Sequence, residues 1–241
     1  MNKKIINIFV LLLAASQTAN VIAQEAVTSD LDSCINSEKI AFTVKGAAVG
    51  ALTGLVGSFL SGKKDKAGKN AVIGAVAGGA IGFATAYYKA AGICMDKNPS
   101  WIPESKIQRK NNYKEIVREF KYTPSMGDFI YLRKLQAPHS VNPGGTIEIV
   151  SKYVVLTPDS GEAKVRIERK FFIMDENNKE EEIPFFGKGI EERVVANGEE
   201  IDTAKIPVSV DAPKGSSFRI EYRISFVDGR YVSESAIVKV Q

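Results

Sequence analysis

The chain has 241 residues, carries 32 Lys+Arg against 28 Asp+Glu, and holds one histidine and two cysteines. That length accommodates one or two domains. A lone histidine, His139, excludes a histidine-built zinc centre, and the acidic balance of the C-terminal half argues against a nucleic-acid partner.

The first residues read MNKKIINIFVLLLAASQTANVIAQ. Lys3 and Lys4 precede an apolar run from Ile5 to Ala15, and Val21-Ile22-Ala23 supplies small residues ahead of Gln24. This is the pattern of a removable secretory signal over 1–23. An exported chain with an even number of cysteines pairs them, so Cys34 and Cys94 are expected to form a disulfide. Charge is split along the mature chain. Residues 25–121 hold 14 Lys+Arg against 9 Asp+Glu, and residues 122–241 hold 16 against 19. A basic first half suits an anionic lipid surface.

Two uncharged segments, 46–62 and 70–88, flank the basic turn Lys63-Lys64-Asp65-Lys66-Ala67-Gly68-Lys69. As helices they would be about 25 and 28 Å long, near the thickness of a bilayer core. Gly46, Gly50, Gly54 and Gly57 line one side of the first segment, and Gly74, Gly78 and Gly82 line the second, extended by Ala86. Residues four apart stack on one helix face, and glycine there lets another backbone approach closely. Interior glycines cost about 1 kcal/mol each in a water-exposed helix, so the pattern favours lipid, where helix is nearly obligatory. Antiparallel pairing sets Gly54 against Gly78, Gly50 against Gly82 and Gly46 against Ala86. It also brings Cys34 and Cys94 together at the open end, where a disulfide would constrain the unfolded chain by roughly 4 kcal/mol. Tyr87, Tyr88 and Lys89 fit an interfacial belt.

The paired GxxxGxxxG rows after a signal resemble the glycine-zipper regions of bacterial envelope proteins of the rickettsial 17 kDa surface antigen type, over about residues 40–93. The resemblance implies a structural or stress-related envelope component. The lipid-modified cysteine of many members is absent here.

Other motifs fall away. Gly57–Lys64 reads GSFLSGKK, but a phosphate loop needs Ser or Thr where Lys64 stands. Ser61-Gly62-Lys63-Lys64 has no KTG partner. The pairs and triplets Glu180-Glu181-Glu182, Glu191-Glu192 and Glu199-Glu200 lack calcium-loop spacing and read as solvated strand ends. No paired nucleophile and base is present, so no enzyme and no cofactor is expected.

Residues 99–123 form a connector. Glu104 to Lys121 reads as an amphipathic helix, with Tyr113, Ile116, Val117 and Phe120 on one face and a basic remainder. From Asp128 the period becomes two, giving strands at 128–135, 146–156, 163–174, 189–195, 200–208, 217–227 and 230–240. Asp228-Gly229 signals a two-residue hairpin turn. Seven strands at this spacing predict an antiparallel β-sandwich over 124–241, resembling the immunoglobulin-like domains of bacterial surface proteins.

The expected whole is α+β: a glycine-rich helical hairpin over 24–98, disulfide-clasped, followed by the sandwich. The expected function is an exported envelope protein, anchored in membrane lipid by the hairpin, self-associating through its glycine faces, and presenting the sandwich to a protein partner. A pore-forming protein and a soluble periplasmic binding module are the alternatives.

Overall fold

A computed structural model describes residues 30–39, 79–103 and 105–241. These hold helix α1 (residues 30–39), helix α2 (Gly79–Lys97), helix α3 (Tyr113–Phe120) and ten strands. The strands are β1 (Lys106–Lys110), β2 (Phe129–Gln136), β3 (Ser140–Val141), β4 (Thr146–Leu156), β5 (Glu162–Met174), β6 (Glu180–Ile183), β7 (Ile190–Ala196), β8 (Gly198–Pro207), β9 (Ser217–Phe226) and β10 (Tyr231–Val240).

Two sheets face each other. Sheet A runs β1-β8-β4-β2; sheet B runs β3-β10-β9-β5, with β6 and β7 both pairing β5. The orders β2-β4-β8 and β10-β9-β5 match the A-B-E and G-F-C orders of immunoglobulin-type sandwiches, with β1 in the D position. Alternation dictates which side chains enter the core. On β5, Ala163, Val165, Ile167, Arg169, Phe171 and Ile173 are buried and their neighbours are not. All seven strands expected from period-two patterning form, within one or two residues of their expected bounds.

Several expectations are corrected. The described residues are mostly β, and the α+β reading with a long helical hairpin does not hold. The first arm of the expected hairpin, 46–62, lies outside the described residues; α2 covers Gly79–Lys97, and its apolar positions are packed in protein. Ile81, Phe83, Ala84, Tyr87, Tyr88, Ala91 and Met95 join one core cluster with Ile147, Phe171, Ile206, Phe218 and Val240. The Tyr88 ring meets Phe171 edge-on at 5.0 Å, and its hydroxyl donates to the Pro207 carbonyl at 3.0 Å. Tyr87 and Tyr88 are therefore core residues, not an interfacial belt. An all-round apolar helix must be buried in protein or in lipid, and sequence alone does not say which. Here the open end of the sandwich provides the apolar surface.

Second, the transmembrane reading is overturned: among the described residues no helix is long and apolar enough to cross a membrane. Third, the helix expected over 104–121 is two elements. Residues 106–110 pair antiparallel with β8, and α3 covers only Tyr113–Phe120, ending where Lys121 takes a left-handed φ of 49°. The hairpin after β9 also differs in detail. Gly229 N–H donates to Phe226 O at 3.1 Å, and Gly229 has φ +89°. That is a three-residue loop closed by a left-handed glycine rather than a two-residue turn.

The Cys34–Cys94 disulfide is present as expected, with Cα atoms 6.0 Å apart. It fastens α1 to α2, and Ile35 is buried beside it. Lys97 Nζ to Glu38 Oε1 at 2.6 Å and Lys39 Nζ to Asp211 Oδ2 at 3.6 Å complete the attachment. Burial, then the carboxylate of Asp32 on α1, pushes the Tyr87 phenol up to about 12.

Tyr88→Ala should lower unfolding free energy by about 3–5 kcal/mol, whereas Tyr88→Phe should cost about 1 kcal/mol. Urea melts of the oxidised protein measure both; a near-neutral Tyr88→Ala would mean that α2 does not form part of the core.

Candidate functional site

The largest departure from an ordinary sandwich core is a charged layer through its middle. Arg169 on β5 occupies an inward position between Ile167 and Phe171, and Asp202 on β8 points at it from the opposite sheet. Arg169 Nη2 is hydrogen-bonded to Asp202 Oδ2, both side chains being almost fully buried. Tyr222 on β9 donates to the same carboxylate oxygen at 3.1 Å. Arg169 Nη1 donates to the Lys188 carbonyl at 3.0 Å and reaches Glu191 Oε2 at 3.5 Å. One step along β8, Glu200 accepts from the Tyr153 hydroxyl at 2.7 Å and lies 3.8 Å from Arg193 Nη1.

Electrostatics hold the Arg169 guanidinium charged and the buried Tyr222 and Tyr153 phenols neutral. Burial draws the Arg169 guanidinium down, but the adjacent Asp202 carboxylate outweighs it and holds the group above its ordinary value. Burial, reinforced by Asp202, pushes the Tyr222 phenol well up, and burial with Glu200 does the same to Tyr153. Arg169, Asp202 and Tyr222 line a small interior gap with Ser151, but it has no room for a bound molecule. The layer joins the sheets and offers no substrate pocket. Sequence reading missed it, although its signal was available. Arg169 and Asp202 are charges in phase with the apolar alternation of their strands, where a surface charge would be out of phase.

The acidic clusters divide. Glu199 and Glu200 are buried and paired with Lys110, Arg133, Arg193 and Tyr153, contrary to their reading as solvated ends. Glu180 and Glu182 do lie exposed on short β6, while Glu191 points inward. Among the described residues no cluster has the make-up of a metal site. His139 is exposed in the loop before β3. Of the glycines expected to pack helices, Gly46, Gly50, Gly54, Gly57, Gly74 and Gly78 lie outside the described residues; Gly82 is half-buried in α2.

The edges are guarded against further strands. β1 presents Lys106, Arg109 and Lys110. β2 is interrupted by a bulge between Leu132 and Lys134, and its Leu135 N–H donates to Glu234 Oε2 at 2.8 Å. β7 turns Glu191 and Arg193 inward. Lysine, bulges and inward charges are the devices that block strand addition. Faces remain. The outer face of sheet A is partly covered by α3, whose Ile116 packs on Val154 and Leu156. No described helix packs on the outer face of sheet B. There the Arg219 guanidinium stacks 3.8 Å from the Phe172 ring and Arg223 stacks 3.7 Å from Tyr231, which is 54% exposed. Arg219 also reaches Glu180 at 2.5 Å and Glu221 at 3.0 Å. Ile237, on the same face, is 52% exposed.

No protein-family model matches the chain, and no curated protein matches it. Solved structures align at low similarity. Sporulation control protein Spo0M of Bacillus subtilis is 11% identical over 48% of this chain and 49% of its own, with a TM-score of 0.27. A CARDB domain of a Pyrococcus furiosus protein, solved with di-metal ions, is 12% identical over 48% of this chain and 90% of its own, with a TM-score of 0.32. The alkylpurine DNA glycosylase AlkC of Pseudomonas fluorescens is 10% identical over 73% of this chain and 52% of its own, with a TM-score of 0.36. The chain spans about half the length of Spo0M and of AlkC. The sandwich assignment rests on the strand pairing itself.

Arg169→Ala or Asp202→Ala alone should destabilise by about 3–5 kcal/mol, because each strands a buried charge. The double variant Arg169→Met with Asp202→Leu should cost less than either single change. Denaturant melts of the three variants decide it; additive losses would show that the layer is not a coupled pair.

Proposed function

We propose that this chain is an exported β-sandwich binding module, without catalytic activity, that engages a protein partner through the outer face of sheet B. The observation that carries the binding reading is the state of that face. It is the broad surface that α2 and α3 leave bare, and it carries arginines stacked on aromatic rings. Arginine and tyrosine are the residues over-represented where interfaces concentrate their binding energy. Stacking on Phe172 and Tyr231 holds two long cations in place, so less side-chain entropy is lost when a partner docks. The guarded edges favour docking on a face over strand addition. Export is supported by the signal pattern of residues 1–23 and by the Cys34–Cys94 bond, since structural disulfides persist in oxidising compartments.

Osmotic-shock fractionation with non-reducing gels tests the compartment: the expected result is release with the shock fluid in a form whose mobility changes on reduction. Retention with cytoplasmic markers overturns export. For binding, a photo-crosslinking residue at Ser233, in the middle of the sheet B face, should give one discrete adduct in cells, and the same residue at exposed Asn177 should not. Adding Arg223→Glu and Tyr231→Ala should abolish the adduct without lowering the melting temperature.

A further inference from the structure

A second surface stands apart from the sheet B face. On the half of sheet A that α3 leaves uncovered, the outward positions form a short grid set by strand register. Lys134 on β2 lies directly opposite Lys152 on β4, and Lys152 lies opposite Ile201 on β8. In the next row Val150 opposes both Gln136 and Thr203, and Thr203 opposes Lys106 on β1. Lys205 follows, paired with Glu148 at 3.7 Å. Lys106, Lys134 and Lys205 are exposed, while Lys152, Val150 and Ile201 are half-buried.

Like charges opposed across a strand pair are destabilising, and sheets ordinarily relieve them with a nearby opposite charge. Among the described residues, Lys106, Lys134 and Lys152 have no carboxylate at ion-pair distance; the glutamates nearest α3 are taken by Arg133 and Lys110. Four lysines against one glutamate surround an apolar strip of Val150 and Ile201. We propose that this face binds an acidic, extended segment of another protein, its carboxylates on the lysines and its alternate apolar side chains on Val150 and Ile201.

The composition of the face selects that occupant. The four-lysine grid itself holds no aromatic ring on which a nucleic-acid base could stack, and stacking supplies much of single-strand affinity. The nearest exposed ring on this face, Tyr131, is packed against Phe120 of α3. The chain's own segment 40–78 carries Lys45, Lys63, Lys64, Lys66 and Lys69 against Asp65, the wrong sign to neutralise this surface. Four strands span about 14 Å, the reach of four or five extended residues, so a short segment suffices.

The test uses the oxidised mature chain and a fluorescein-labelled peptide of alternating glutamate and valine, read by anisotropy. The peptide should bind, weaken as salt rises from about 50 to 300 mM, and bind at least about tenfold better than its glutamine–valine counterpart. Lys134→Glu with Lys152→Glu should reduce affinity at least about tenfold with the melting temperature kept; if that pair fails to fold, Lys134→Gln with Lys152→Gln serves, with a smaller loss. Arg223→Glu with Tyr231→Ala should leave peptide binding unchanged, so this proposal and the sheet B reading fail separately. Equal affinity in the lysine variants overturns it, as does tighter binding of a single-stranded oligonucleotide than of the peptide.

Discussion

The ion pair between Arg169 and Asp202 is the constraint around which the sandwich is organised. It is a bond between sheets, since Arg169 belongs to β5 and Asp202 to β8. Side chains alternate along a strand, so slipping either strand by one residue would turn the charge outward and leave its partner buried alone. Hydrophobic alternation specifies which face of each sheet is inside; the charged pair specifies which residue lies opposite which. Its energetic cost is desolvation of both groups, offset by Tyr222, the Lys188 carbonyl and Glu191 around them. Apolar clusters lie on both sides of this layer, one reaching Val155, Ile167 and Phe226, the other continuing into α2.

Much of this architecture is legible in the chain. β9 declares itself by strict alternation, as in Phe218, Ile220, Tyr222, Ile224 and Phe226, because one of its faces is core and the other is turned outward. The disulfide is legible too, from compartment and cysteine count. What sequence does not convey is the identity of the medium that covers an apolar helix. The uncharged segment 70–88 reads as a lipid-facing span as well as a core helix, and for its described part, Gly79 to Tyr88, only the aromatic surface formed by Phe171 and Phe218 decides between them. The strand at 106–110 is hidden for a different reason. KIQRK has no apolar alternation of its own, being an edge strand held by backbone pairing with β8. Arg169 and Asp202 escaped because charge was equated with exposure.

The distribution of charge outside the core has a common logic. Cations at β1, the bulge of β2 and the inward pair on β7 protect the sheet margins, so the sandwich can expose broad faces without polymerising through its edges. The two faces differ in chemistry. On sheet B each arginine is matched by a glutamate or an aromatic ring, giving a surface near neutrality whose specificity resides in shape. On sheet A the lysines are left in excess.

The disulfide has a topological consequence. Because Cys34 and Cys94 are covalently joined, residues 35–93 form a closed ring on the chain, with α1 fixed beside α2 at the end of the sandwich. A single cut anywhere in 40–78 would open that ring without separating the pieces. The N-terminal portion would stay attached to the sandwich, and only reduction would release it.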